Sequence, residues 1–566
     1  MNQESGIHFH RPVAFALGAL ALTIGVLLHL PDFFSMSGMG YRMVGMPMSN
    51  MMVGGMWLIV GGMLLATWGV LPPPQSASRR RDAGAYHLHV MDSAHLTGAH
   101  WGLLFVLGVA LVIDVMKPAT LGFVIPGMVA EYRIPQSESG WLLVCALTGT
   151  AVGSVFWGVM ADRIGRRAAI LLASLMFIGT SICGTMPSYA LNLFMCFLMG
   201  IAAGGMLPIV YALMAESVPA GPRGWLVVLH GGMGTVGGTL AAAGCAVLLE
   251  PTFSWRALWL MNLPTGIMML VLNRWIPESP RFLLERGRTD EARAVLARYG
   301  VVLETDEEFD VRRGRTVDEG FEIRRGGSLD PPPSEARLDP ADCPAPSHWS
   351  EVLALFRPPY LTQTVVVLVY GLAWGVVNWG FIAFLPSFLR TRGFGAGASS
   401  YLLFLSSFVA IPGTILVAWM YGKWSSRWSM VGFAAASIGS AVVFALIAPG
   451  ALTSRLLIVT VLSLIYTATG GVMAMLSPYT AEVFPTRLRG TGSGLSAGST
   501  KLGGLFGGLA TVTGLIAVAS GLMRPVLLVS VPMALALILV WRFGIETRGR
   551  RLEELAASLD QPQRVR

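Results

Sequence analysis

Fourteen separate stretches of this chain are apolar for the thickness of a lipid bilayer. They lie near 13–30, 51–71, 101–124, 139–160, 168–186, 189–213, 224–249, 257–276, 360–385, 399–421, 429–449, 455–477, 490–518 and 521–543. A spanning helix needs about 20 such residues. Within lipid its backbone must hydrogen-bond to itself. The expected fold is therefore an all-α membrane protein of about 14 transmembrane helices. Charge agrees, since Asp, Glu, Lys and Arg make up only 13% of the chain, against about 25% in soluble domains. We do not expect the first stretch to be a signal peptide, since no A-x-A site follows it and only Arg11 precedes it.

The basic residues sort by side. With a cytoplasmic N-terminus, that side holds 31 of the 40 Lys and Arg. The other side holds Arg42, Arg133, Arg256, Arg390, Arg392, Arg455 and Arg524, and Lys117 and Lys501 lie inside spans. The bias predicts a multi-pass protein of the cytoplasmic (inner) membrane with both termini cytoplasmic. It also explains the net charge of +8 without a nucleic-acid partner. Five cysteines without a C-x-x-C pair indicate neither a disulfide framework nor a zinc site. No Walker loop, dinucleotide fingerprint or catalytic triad is present, so we expect neither an enzyme nor a bound cofactor. The expected organisation is an N-terminal transmembrane hairpin with a Met-rich outer loop (1–75) and a cytoplasmic linker (76–100). Then come a six-helix half (101–276), a cytoplasmic central loop (277–358), a second six-helix half (359–543) and a cytoplasmic tail (544–566).

The two halves repeat a motif. A-E-S-V-P-A-G-P-R-G (Ala215–Gly224) and A-E-V-F-P-T-R-L-R-G (Ala481–Gly490) both read A-E-x-x-P-x-x-x-R-G, each at the end of the fourth span of its half. A weaker pair is G-V-M-A-D-R-I-G-R-R (Gly158–Arg167) and A-W-M-Y-G-K-W-S-S-R (Ala418–Arg427). With P-E-S-P-R-F-L-L-E-R-G-R (Pro277–Arg288) and E-T-R-G-R-R-L-E-E (Glu546–Glu554), these motifs resemble the major facilitator superfamily, in its sugar-porter and metabolite/proton symporter branches. The resemblance spans roughly Trp101 to Glu554. It implies a twelve-helix major-facilitator fold, to which the first two spans add an extra N-terminal two-helix hairpin. The first core span is most similar to the aromatic-acid/proton symporters, whose D-G-F-D then G-F-x-x-P becomes Asp114-Val115-Met116-Lys117 then Gly122-Phe123-Val124-Ile125-Pro126. Lys117 replaces the second acid, and Cys196 stands where the family usually has an Arg, so the chain departs from the residues of the family's usual proton route.

Charges at the bilayer centre are costly and usually functional. Asp114 and Lys117 are three apart on one helix side, and Pro118 frees a carbonyl one turn back. A purely structural pair would also lower the cost. Lys501, in the eleventh core span, is at similar depth. Two lysines, one per half, suit an anionic substrate bridging a central site; for Lys501 the resemblance implies a carboxylate contact. Asp114 is the candidate proton carrier. Asn378 and Trp374 in the seventh core span and His230 in the fifth are further substrate-binding candidates, although His230 also fits a hydrogen-bonded interface residue. Trp379, Tyr466 and Asn192 are weaker versions of the same idea. By the resemblance, Asp162, Arg163, Gly165, Arg166, Arg167, Glu216, Arg223, Glu482 and Arg489 form a cytoplasmic gate whose charges pair between and within the halves.

The hairpin carries eight Met between Met36 and Met56. Thioethers prefer Cu(I), which makes Met36, Met39, Met43, Met46 and Met48 candidate copper ligands; adaptable packing explains the same residues. His87, His89, His95 and His100 cluster before the core. The expected function is secondary active transport, as proton-coupled symport of a small organic anion by alternating access. A sugar or polyol porter and a copper-linked transporter are the alternatives. The expected partners are substrate, protons and the bilayer, with the monomer as the working unit.

Overall fold

The computed structural model describes residues 10–71, 95–303, 348–447, 454–516 and 523–548. Long helices dominate, and among the described residues there is no strand. The main ones are α1 (Pro12–Leu27), α2 (Asn50–Val70), α3 (Gly98–Tyr132), α4 (Gly140–Ile164), α5 (Arg166–Gly179), α6 (Tyr189–Ser217), α7 (Ala220–Phe253), α8 (Asn262–Leu272), α9 (Thr289–Arg298), α10 (Leu361–Gly380), α11 (Ala396–Trp419), α12 (Ser426–Leu446), α13 (Arg455–Val483), α14 (Thr486–Val512) and α15 (Met523–Phe543). All fourteen expected spans are helical over their described residues. Twelve are long and apolar enough to cross a membrane. The segment 257–276 is broken into short pieces around α8, and α14 is diluted by Gly, Ser, Thr and Lys501.

Both halves surround one interior. They meet along α7 against α11 and α13, and along α4 against α14. These seams are glycine-rich for a steric reason. A Cβ on Gly140 would sit 2.7 Å from the Gly508 carbonyl oxygen, and one on Gly231 3.2 Å from the Ala474 Cα. In lipid, association depends on such close packing rather than on a hydrophobic drive.

The hairpin follows the same rule. Gly25 and Gly55 face each other so that a Cβ on either would reach the other's carbonyl at 2.6 Å. The pair covers α5, whose apolar window is 94% buried. Its connecting loop folds back: the Met43 N–H donates to Glu131 at 3.1 Å and the Gly45 N–H to the Pro187 carbonyl at 3.2 Å. Met43 is buried with Phe33 and Ala257, flanked by Met36 and Met46. Met39 is exposed and Met48 packs on the main core. The five thioethers are thus spread over two apolar clusters and the surface, as packing residues are. His87 and His89 lie outside the described residues.

Candidate functional site

Helix α3 carries Pro118 and Pro126 in its interior. Proline has no N–H, so Pro118 leaves the Asp114 carbonyl without its helical donor. Asp114, Pro118 and Gly122 line one side of a cavity of about 110 Å³, with Thr150, Thr235 and Thr239 from the same half. The second half supplies Trp374, Asn378, Trp379, Tyr466 and Lys501. An apolar cavity of about 150 Å³ holds benzene, so the scale here is one ring.

The polar groups are few and open. Asp114 is 4% exposed, and its Oδ1 has no hydrogen-bond partner. Of the cations acting on it, Lys501 from the other half has the larger Coulombic effect and Lys117 the smaller. The Trp379 indole N–H is buried without a partner. Trp374 instead donates to the Thr469 carbonyl at 3.0 Å, which fixes its ring.

Several expected residues are elsewhere. Lys117 does not line the cavity. Its ammonium lies 2.7 Å from the centroid of the Phe177 ring on α5 and has no hydrogen-bond partner. The reason is angular. Each helical residue turns about 100°, and the cavity face of α3 is centred on Val115, Pro118 and Gly122. Asp114 is at one edge of that face, and Lys117 lies beyond that edge. His230 is also outside the lining; its ring nitrogens face the carbonyls of Leu226 at 2.8 Å and Leu104 at 3.1 Å, joining α7 to α3. Asn192 donates to the Cys183 carbonyl at 3.1 Å, away from the cavity.

The halves touch on both sides of the cavity. At the end that carries the loop motif 158–167, a Cβ on Gly224 would lie 3.2 Å from Glu482 Oε1, and the Tyr421 hydroxyl donates to Glu482 Oε2 at 2.7 Å. The two A-E-x-x-P repeats therefore meet there. At the opposite end Arg390 pairs with Glu250 at 2.6 Å, and the Ser400 hydroxyl donates to Glu250 at 3.4 Å. This cross-half ion pair was not among the expected site residues. Its signal in the sequence was weak: an acid near the end of one long span and a base just beyond another.

The loop motif is held mainly by bonds to its own segment and to the chain after the sixth core span. Asp162 pairs with Arg166 on its own segment, at 3.6 Å. Arg286 donates to the carbonyls of Asp162 and Arg163 at 3.3 and 2.8 Å. Arg167 donates to the Asn273 carbonyl at 3.0 Å. Gly165 has φ +101, a backbone state that suits glycine. Glu278 of the P-E-S-P-R stretch caps α5, accepting from the N–H groups of Arg166 at 2.7 Å and Arg167 at 3.3 Å. These bonds run within the first half, because the chain leaving the sixth core span folds back under it.

Glu546 repeats that role in the second half. It accepts from the Ser426 N–H at 2.8 Å, at the start of α12, and from the Ser425 hydroxyl. Glu278-Ser279 and Glu546-Thr547 are thus a third internal repeat, legible as E-[ST] after the last span of each half. Arg223 donates to the Val218 carbonyl at 2.9 and 2.7 Å, closing the end of α6. The side chains of Glu216 and Arg489 lie outside the described residues.

Comparison with known proteins places this architecture. The chain is 26% identical over 455 residues to the putative niacin/nicotinamide transporter NiaP of Bacillus subtilis, covering 80% of this chain and 97% of that one. It is 25% identical over 428 residues to the 4-hydroxybenzoate transporter PcaK of Acinetobacter baylyi, covering 74% and 85%. In fold it is similar to the proton:xylose symporter XylE bound to 6-bromo-6-deoxy-D-glucose, with TM-score 0.57, 17% identity and coverage of 81% and 99%. It is also similar to the partially occluded inward-open form of XylE from E. coli, with TM-score 0.59, 14% identity and coverage of 80% and 100%. Residues 103–508 match the Major Facilitator Superfamily, and the chain belongs to that family.

Proposed function

We propose that this protein is a proton-coupled symporter for a small aromatic monocarboxylate. Membership of the superfamily makes it a multi-pass membrane transporter rather than an enzyme. The observation that carries the finer reading is the single-ring cavity with Asp114 on one half and Lys501 on the other, between Trp374 and Trp379. A buried charge needs compensation. Of the charged groups that line the cavity, Asp114 and Lys501 sum to zero when both are ionised, so a bound carboxylate leaves one negative charge that a proton can cancel. The aromatic walls suit a flat ring, and the Trp379 N–H and Asn378 supply hydrogen bonds at its edge. The names of the relatives NiaP and PcaK, with niacin and 4-hydroxybenzoate, fit that class.

Coupling follows from charge balance. A substrate carboxylate competes with Asp114 for Lys501. A proton on Asp114 restores neutrality, so substrate and proton favour each other's binding. The loaded, neutral site then crosses between the two closures, the Glu250–Arg390 pair at one end and the Glu482 contact at the other. The positive-inside bias supports a loop-motif end and termini facing the cytoplasm of the inner membrane. One chain holds the whole cavity, which supports a working monomer.

Xylose in the names of the fold neighbours keeps a sugar porter as the second reading. Against it, the cavity lining has one amide side chain, Asn378, where several hydroxyls would need readers. The deciding test is uptake by proteoliposomes of labelled nicotinate, 4-hydroxybenzoate, benzoate and xylose, with and without an inward proton gradient. Gradient-driven uptake of a ring acid is expected, and its loss in Lys501→Ala. Uptake of xylose with no acid transported would overturn the proposal.

A further inference from the structure

A second concavity lies outside the transport cavity, where α3 begins. It is a groove of about 380 Å³ lined by Gly98, Gly102 and Phe105 of α3, Trp275 after α8, and Arg298 and Tyr299 at the end of α9. Its apolar side opens outward, with Phe105 70% exposed. Gly98 and Gly102 are four apart and stack along one helix face. Neither is needed for packing, because a Cβ on either would meet open space. Together they leave a notch running up α3 from the loop-motif end toward the hydrocarbon.

Two donors at the rim, on Tyr299 and Arg298, lack acceptors among the described residues, and His100 stands behind them. Tyr299 is 2% exposed, lines the groove, and its hydroxyl makes no hydrogen bond among the described residues. Its ring lies 4.8 Å from that of His100. The Thr97 N–H donates to His100 Nδ1 at 3.0 Å, which leaves the ring proton on Nε2, and that nitrogen is buried without a partner. Arg298 makes no ion pair among the described residues. It acts electrostatically on Arg167, where Glu278 acts more strongly, so Arg298 itself is the cation without an acidic partner among the described residues. Arg274 adds a further positive charge, stacked 3.7 Å over the Trp275 ring. Buried donors are rarely left unmatched, and like charges gathered at a membrane-facing rim attract anions.

We propose that this groove binds an anionic phospholipid of the adjoining leaflet. Arg298 and the Tyr299 hydroxyl hold its phosphate, and one acyl chain lies along Gly98, Gly102 and Phe105. Basic pockets between transmembrane helices bind such head groups. A free phosphate would use the same donors but leave the apolar notch unfilled, so the lipid fits both parts. The bound lipid ties α9 to α3, the helix that carries Asp114. This proposal does not depend on the identity of the transported substrate.

The test uses the purified full chain in a neutral detergent. Phosphatidylglycerol, phosphatidylcholine or inorganic phosphate is titrated in, with native mass spectrometry and thermal unfolding as readouts. Phosphatidylglycerol should bind in preference to phosphatidylcholine and raise the unfolding temperature, whereas inorganic phosphate should do neither. Arg298→Ala should weaken phosphatidylglycerol binding roughly fivefold, the worth of one basic side chain near a membrane surface, and leave phosphatidylcholine unchanged. Tyr299→Phe should weaken it less, with the fold intact. Gly102→Leu, whose side chain enters open space, should reduce binding of both lipids. Unchanged phosphatidylglycerol binding in all three variants, or equal stabilisation by inorganic phosphate, would overturn the proposal.

Discussion

Two lysines sit deep in the apolar spans, one in each half, and the fold gives them different surroundings. Lys501 faces the cavity, where it is the stronger Coulombic partner of Asp114. Lys117 is three residues from Asp114 yet stands over Phe177, its ammonium without a hydrogen-bond partner. Cation–π contact in a desolvated site contributes about 2 kcal/mol, well short of what a charge costs in lipid. The contrast teaches that adjacency along a helix does not assign a residue to a site. The side of the helix on which the cavity lies does. One lysine therefore faces the cavity, and the other stands behind its wall.

The sharpest way to break this contrast is to remove each lysine. Lys501→Ala should lower uptake kcat/KM about a hundredfold, near 3 kcal/mol, as expected when one member of a buried charge pair is deleted. Next, Asp114→Asn should abolish gradient-driven accumulation while sparing substrate exchange, measured in the same vesicles; persistent accumulation would remove Asp114 from the proton route. Lys117→Met should keep uptake within roughly threefold and hold or raise the unfolding temperature, because a buried charge without a hydrogen-bond partner is replaced by an apolar chain. If Lys117→Met loses as much uptake as Lys501→Ala, both lysines serve the substrate and the contrast fails.

Smaller effects concern the ends of the halves. The Glu250–Arg390 pair is partly exposed, so it contributes about 1 kcal/mol at most. Glu250→Gln should thus raise alkylation of a cysteine placed at Thr239 by no more than roughly fivefold, and only from the side of the pair. The smallest effect is on pH dependence. Burial pushes the Glu278 carboxyl above its ordinary range despite its backbone donors. Burial would do the same to Glu546, but donors from Ser425, Ser426 and Arg548 outweigh it and hold that carboxyl below its range. The stability from Glu546 is therefore present above its unfolded pKa of about 4.3 and lost as pH falls through the lower folded value. Glu278 runs the other way, its stabilising share being present below about pH 4.3 and lost as pH rises through the folded value. Thermal unfolding from pH 3 to 7 should show a shallower acid-side loss in Glu546→Gln and no such relief in Glu278→Gln.

The length of each apolar stretch and the paired A-E-x-x-P-x-x-x-R-G motifs determined the helical fold, the two halves and the family, because a bilayer permits few backbones and a repeat needs no coordinates to be seen. Asp114, Lys501, Asn378 and Trp374 were also legible, since polar groups at mid-span are expensive enough to imply a shared interior. Tertiary structure alone decided which face of α3 meets that interior, and so sent Lys117 to Phe177 and His230 to the Leu104 carbonyl. It decided that Glu278 and Glu546 cap helices far away in the chain, and that Glu250 meets Arg390 across the halves. Those assignments depend on helix rotation and on contacts between segments more than a hundred residues apart. Apolar periodicity in these spans carries little information about either, because lipid and protein interior favour the same side chains.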